Sequence, residues 1–167
     1  MASWVPSTPV LGLQPIADTS TTQLHPLGTK IHASHATYGS GEFVYLLGVA
    51  STVVGSWATI NYDDGSTALL AANAIGPVGV AMSINVASKY GWYQVRGKAV
   101  GKAAAEYADN GLVFITATGG IVDDAPVDGD MVHLAKGASA VDTPSTGLAE
   151  FEIQYPYTDD IITNDAV

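Results

Sequence analysis

The 167-residue sequence contains no cysteine, which excludes disulfide bonds and thiolate metal sites. It has only 6 lysines and arginines against 16 aspartates and glutamates. The formal net charge of −10 argues against a general nucleic-acid surface, because neutralising phosphates requires clustered cations. No apolar run approaches the ~20 residues of a membrane-spanning helix, and the N-terminus lacks the pattern of a secretory signal. We therefore expect one acidic domain that binds neither nucleic acid nor membrane.

Residues 1–37 differ in composition and hydrophobic pattern from the rest of the chain. Four prolines are spaced through Ser/Thr-rich sequence with no sustained helical or strand period, which predicts an extended arm outside any closed sheet. The same segment contains many apolar groups, among them Trp4, Val5, Leu11 and Leu13. An arm that docks on a neighbouring surface accounts for both properties, and a flexible tail is the alternative.

From residue 38 onward, short apolar segments alternate with Gly, Asn and Asp turns. About eight such segments with almost no helical pattern favour an all-β domain over residues 38–158, an antiparallel β-sandwich or jelly-roll-like barrel. One helical turn is predicted at 103–108, and an acidic C-terminal tail at 159–167. The main predicted strands cover 43–47, 57–62, 67–71, 112–117, 131–134 and 148–155.

The stretch 76–102 contains four of the six basic residues and predicts a hairpin. Its first strand is expected to carry one apolar row from Val80 to Val86. Its return strand alternates so that one face presents Trp92, Gln94, Arg96 and Lys98. We expect that face to meet solvent or an acidic protein surface, such as Glu150 and Glu152 of the same or a neighbouring subunit.

The motifs of the sequence predict no catalytic residue, no cofactor and no metal site. Gly97-Lys98 lacks the spacing and the hydroxyl of a phosphate-binding loop, and His32 and His35 lack a third ligand and a helical context. The sequence leaves open whether the acidic loop 123–130 binds calcium. Asp123, Asp124, Asp128 and Asp130 offer oxygen ligands, but their spacing is not that of an EF-hand.

Four blocks of the sequence resemble a known group of proteins: YGSGEFVYL at 38–46, GPVGVA at 76–81, YGWYQVRGKA at 90–99 and GLAEFEI at 147–153. They are similar to small virion proteins of tailed bacteriophages, the capsid decoration or cement proteins. The resemblance implies a protein made in the host cytoplasm and located on the outer surface of the virion. It also implies a homo-oligomer, dimer or trimer, that stabilises the shell by binding the major capsid protein.

On this basis the protein is expected to be a structural protein and not an enzyme. The residues expected to bind the capsid protein or sister subunits are Trp4, Val5, Leu11, Leu13, Trp92, Arg96 and Lys98. Two alternatives stay open. One is a head-fibre or receptor-binding module that binds glycans through Trp57, Trp92 or Tyr93. The other is a hydrolase or lyase that uses paired carboxylates.

Overall fold

The computed structural model describes residues 3–8 and 10–161. Over these residues the chain forms strands and loops without a helix, so none of them belongs to a helix that could cross a membrane. The all-β prediction is confirmed. The strands are β1 (Val5–Pro6), β2 (Lys30–His35), β3 (Gly39–Leu47), β4 (Trp57–Ile60), β5 (Thr67–Leu69), β6 (Gly76–Ala81), β7 (Tyr90–Lys102), β8 (Leu112–Ile115), β9 (Val122–Asp123), β10 (Met131–Gly137) and β11 (Leu148–Thr158).

The strands belong to one antiparallel sheet of 11 strands, in the order β1-β2-β3-β7-β6-β11-β10-β8-β9. Strand β4 pairs with β6 and carries β5 on its other side. The sheet is not closed, because β1 and β9 do not pair with each other. The predicted barrel is therefore wrong. Each of these edge strands is 2 residues long, too short for the ladder of hydrogen bonds that closes a barrel.

Strand β7 is the longest strand and changes partners along its length. Its first half pairs with β3 up to the Glu42–Arg96 pair, and its second half pairs with β11 from Arg96 to Lys102. Gly97 lies at the changeover with φ of 99°, and a Cβ there would be 2.3 Å from the main-chain oxygen of Ser40. Only glycine fits this position. The changeover brings β3, β7 and β11 together around Arg96.

The connection between β6 and β7 differs from the predicted hairpin. Strand β6 ends at Ala81, so the predicted apolar row to Val86 is wrong. Ile84 is 56% exposed, whereas Asn85 is buried and donates from its amide to the oxygen of Leu46 and the hydroxyl of Tyr93, both at 3.3 Å. The hydrogen bonds of the buried Asn85 side chain stabilise a loop more than burial of Ile84 would stabilise a strand, so the chain leaves the sheet after Ala81.

The predicted hairpin turn between β4 and β5 is confirmed. Gly65 has φ of 72°, and its amide donates to the oxygen of Asn61 at 2.8 Å. The predicted helical turn at 103–108 is wrong. Ala103 instead forms a bridge with Val122, and Glu106 has a φ of 70° that no α-helix contains.

The largest core cluster lies among strands that are distant in the sheet order. The Trp57 ring of β4 meets the Phe151 ring of β11 edge-on, with centroids 4.9 Å apart, although these strands do not pair. The sheet therefore curls around this cluster. Its buried members are Trp57, Leu70, Val78, Val80, Ala99, Ala103, Tyr107, Val113, Ile115, Val122, Val132, Ala135, Ala149, Phe151 and Ile153.

The segment that precedes β3 is partly inside the sheet. Strand β2 pairs with β3 along its whole length, and β1 pairs with β2 through Val5 and Pro6. Apart from short stretches beside β1 and the turn at 36–38, the described residues of this segment that lie outside the strands are 10–29, so the extended arm expected over 1–37 is largely limited to that stretch. The sequence signal for β2 is weak because its one fully buried side chain is the small Ala33.

Strand β11 follows the predicted alternation at first. Ala149, Phe151 and Ile153 are buried on one face. Tyr155, predicted on the same face, is 42% exposed, because its φ of 54° reverses the alternation. Of the predicted acidic tail, Asp159 contacts His133 at 3.4 Å, and Asp165 lies outside the described residues.

Candidate functional site

The N-terminal residues form an exposed apolar surface, which we call the arm groove. It encloses a volume of 640 Å³, and Leu11 on its wall is fully exposed. Val5 lies nearby on β1 and is 63% exposed. The residues that line the groove are Trp4, Pro6, Val10, Leu11, Leu13, Pro15 and Ile16. The structure thus places three of the four predicted arm residues, Trp4, Leu11 and Leu13, in one groove, and Val5 is not among the lining residues.

Gln14 holds the arm against the sheet. Its side-chain amide donates to the oxygen of Asp18 at 2.8 Å and to that of Tyr90 at 3.1 Å. Its side-chain oxygen accepts from the Tyr45 hydroxyl at 2.9 Å. The neighbouring Ile16 is buried in the apolar cluster beneath the arm. The apolar groups of the groove therefore rest on a fixed support.

Trp92 lies under this arm and not on an open face. Its ring is fully buried, and its indole N–H donates to the main-chain oxygen of Gln14 at 2.9 Å. The expectation that Trp92 meets solvent or a partner is wrong, because the chain's own residues 10–29 cover that half of the β7 face. Gln94, predicted on the same open face, is also fully buried.

Lys98 faces an acidic residue of its own chain. Its ammonium forms an ion pair with Glu150 of β11, which lies diagonally across the strand pair. The Lys98 side chain is 36% exposed and that of Glu150 is 14% exposed. Glu152 pairs with Lys136 at 3.9 Å. Glu150 and Glu152 therefore pair with lysines of the same subunit, and the ammonium of Lys98 already has an acidic partner.

Arg96 lies in a different environment, a cleft of 260 Å³ at the meeting point of β2, β3, β7 and β11. We call it the polar cleft. It is lined by His32, Ser40, Gly41, Glu42, Arg96, Gly97 and Gln154. The Arg96 Nε–H donates to the side-chain oxygen of Gln154 at 2.9 Å. Over residues 3–8 and 10–161, no carboxylate forms an ion pair with Arg96.

Glu42 is the acidic member of the polar cleft and is buried. One of its carboxylate oxygens lies 3.0 Å from His32 Nε2, and the other lies 3.9 Å from Lys30 Nζ. The hydrogen bond between Glu42 and the Tyr155 hydroxyl raises the pKa of that phenol. A buried carboxylate requires such partners, since burial without them is costly.

A second cleft of 220 Å³ adjoins Lys30 and is lined largely by tyrosines and prolines. The Lys30 ammonium lies 5.0 Å from the Tyr155 ring centroid and 5.8 Å from that of Tyr62. Burial raises the pKa of the Tyr62 phenol, and the charge of Glu42 adds to the effect. We call this the tyrosine cleft; Lys30, Tyr155 and Glu42 join it to the polar cleft.

The acidic loop 123–130 uses its carboxylates to hold the main chain. Asp130 is buried and accepts from the Asn73 amide at 2.7 Å, and Asp124 accepts from the Ala108 amide at 2.9 Å. Among the residues with described positions, no three His, Cys, Asp or Glu side chains form a group that could hold a metal ion.

The rings named for a glycan site, Trp57, Trp92 and Tyr93, are all fully buried and unable to contact a sugar in this fold. Sequence reasoning missed Glu42, Gln154 and Tyr155. No local motif marks them, because Glu42 lies on β3 and the other two on β11, and the outward position of Tyr155 depends on its positive φ. Glu42 directly precedes the apolar run that begins at Phe43, and a carboxylate at the start of a buried-type strand was the available signal.

Comparison of the chain with protein-family models, with curated proteins and with solved structures finds no match.

Proposed function

We propose that the protein is a virion structural protein that binds the outer surface of a phage shell and stabilises it, as capsid decoration proteins do. The arm groove carries the proposal. It presents apolar side chains at high exposure, and Gln14 and Ile16 fix it to the sheet. Contiguous exposed apolar surface of this kind marks protein interaction sites.

The electrostatics of the chain support the same proposal. A formal net charge of −10 suits the outside of a shell and is unfavourable for contact with packaged DNA. The proposed partner is the major capsid protein, and its contact residues are Trp4, Val5, Leu11 and Leu13. Trp92 supports this surface from below and makes no contact of its own.

The proposed assembly is a homo-oligomer, dimer or trimer, because closed symmetry suits the repeated positions of a shell. Within each subunit we propose that the curled sheet forms a sandwich. The contact between Trp57 and Phe151, from strands that do not pair, supports two layers enclosing the core.

A binding experiment with shells assembled from the major capsid protein of the same virion tests the function. Leu11→Asp places a charge on the wall of the arm groove and should weaken binding at least about tenfold, since a buried unpaired charge is costly at an interface. Ile75→Asp is the matched control, because Ile75 is 70% exposed and lies outside the groove. Equal binding by both variants would contradict the proposal.

Point variants are preferable to removal of residues 2–20. Such a deletion also removes Gln14 and Ile16, which cover Trp92, so a loss of binding would reflect a loss of folding. The copy number in purified virions gives an independent test. Hundreds of copies support decoration of the shell, and a dozen or fewer indicate a part of a vertex or tail.

A further inference from the structure

The polar cleft contains an arginine that has no acidic partner within residues 3–8 and 10–161. Arg96 is exposed, and among the residues that the structure describes its Nε–H donates to the neutral side chain of Gln154. In a chain of net charge −10, the other cations at this end of the sheet have acidic partners: Lys30 approaches Glu42, and Lys98 pairs with Glu150. The terminal nitrogens of Arg96 therefore remain available to a planar acceptor such as a carboxylate.

The remaining groups of the polar cleft suit hydroxyls. Glu42 is a buried acceptor held in place by His32 and Lys30, and Ser40 and Gln154 supply groups that both donate and accept. A simple anion would satisfy Arg96 and be repelled by Glu42. A ligand that carries one carboxylate and several hydroxyls matches both charges at once.

The tyrosine cleft extends this chemistry. Its rings, Tyr62 and Tyr155, lie next to the cation of Lys30 and are joined to Glu42 by the Tyr155 hydroxyl. Half-exposed tyrosines supply apolar ring faces together with a polar tip. Such faces pack against the C–H face of a sugar ring, so a second sugar residue fits beside the first.

We propose that the two clefts form a binding site for an acidic glycan, in which a carboxylated sugar occupies the polar cleft and places its carboxylate on Arg96. The cleft volume of 260 Å³ accommodates one sugar ring, and the combination of the exposed terminal nitrogens of Arg96 with a buried acceptor selects an acidic sugar over a neutral one. This site is separate from the arm groove and does not depend on binding to a shell.

The test is a titration of the isotope-labelled full chain, followed through backbone amide signals. The probes are glucuronic acid, N-acetylneuraminic acid, glucose and acetate at constant pH and ionic strength. We expect one or both carboxylated sugars to shift the amide signals of Gly41, Glu42, Gly97 and Gln154, with affinity at least about tenfold above glucose and acetate. The two acidic probes distinguish uronic from sialic acid ligands.

The decisive variant is Arg96→Gln, which removes the guanidinium at an exposed position and should lower the affinity for the acidic sugar at least about tenfold. Lys136→Gln is the control, because it removes the same charge from β10, outside both clefts. Gln154→Ala should weaken binding by a smaller factor.

Four outcomes would overturn the proposal. Equal binding of glucose and the acidic sugars would remove the role of the carboxylate. Equal binding of acetate would show a general anion site. Equal affinity of Arg96→Gln and Lys136→Gln for the acidic sugars, or no binding of either acidic sugar, would exclude the site.

Discussion

Trp92 and Gln14, 78 positions apart in the sequence, are joined by a 2.9 Å hydrogen bond from the indole N–H to the main-chain oxygen. The bond ties the longest strand of the sheet to the segment that carries the arm groove. It satisfies the one polar atom of a fully buried tryptophan. The arm is thus part of the folded unit, and its exposed residues have defined positions.

Replacement of Gln14 by alanine tests this attachment. Gln14→Ala removes the acceptor of the Tyr45 hydroxyl and a donor to the Tyr90 oxygen, which leaves buried polar groups short of partners. We expect the free energy of unfolding to fall by about 2 kcal/mol, measured by urea denaturation. Gln23→Ala is the control, since Gln23 is exposed, and it should change stability by less than about 0.5 kcal/mol. Similar losses in both variants would contradict the anchoring role of Gln14.

Gly97 should tolerate no side chain. Gly97→Ala combines a φ of 99° with a Cβ that would lie 2.3 Å from the Ser40 oxygen, and we expect a loss of at least about 2 kcal/mol. Gly39 has a φ of 71° with open space around its Cβ position, so Gly39→Ala should cost only about 1 kcal/mol. Denaturant unfolding of the two variants measures the difference, and equal losses would show that the close approach at Gly97 is unimportant.

The ion pair of Lys98 and Glu150 predicts a charge-swap rescue. Lys98→Glu places two carboxylates side by side across β7 and β11 and should lower stability by about 1 kcal/mol. The double variant Lys98→Glu/Glu150→Lys restores opposite charges and should recover most of the loss. Thermal unfolding at low and high salt measures both effects, and a double variant as unstable as the single one would argue against the pair.

Stability at alkaline pH should depend on Tyr93. Burial raises the pKa of its phenol above the ordinary tyrosine value of 10.0, which the unfolded chain keeps. The unfolded state therefore releases its proton first, and the contribution of Tyr93 is intact below pH ~10 and lost as the pH rises through the folded-state pKa. Tyr93→Phe should reduce the fall in unfolding free energy between pH 8 and pH ~11. An unchanged slope would contradict this assignment.

The local patterns of the sequence predict those parts of the fold that depend on near neighbours. The Asp63–Gly65 turn and the buried row Ala149, Phe151 and Ile153 follow from turn chemistry and alternation, and both are present. The prediction fails where a distant segment decides the outcome. The alternation of β7 predicts that Trp92 lies on the exposed face, yet residues 10–29 cover it. The sequence of β7 itself contains no sign that a distant segment packs over this face.

The candidate site was predicted only in part, for the same reason. The apolar arm residues stood out by composition, and the structure places three of them, Trp4, Leu11 and Leu13, in one groove. The polar cleft draws one to three residues from each of four strands, with the partner change of β7 at Gly97 setting their positions. Such a junction depends on pairing between strands far apart in the chain, which single-sequence patterns do not encode.

The short outer strands limit how copies of this protein can associate. Strands β1, β5 and β9 end the described sheet with 2, 3 and 2 residues, and β1 includes a proline without an amide hydrogen. Unpaired strand edges of this length offer little template for a further strand. Neighbouring molecules should therefore contact one another through side chains and not by strand pairing. We expect the protein to resist fibril formation at concentrations where proteins with longer exposed edge strands aggregate.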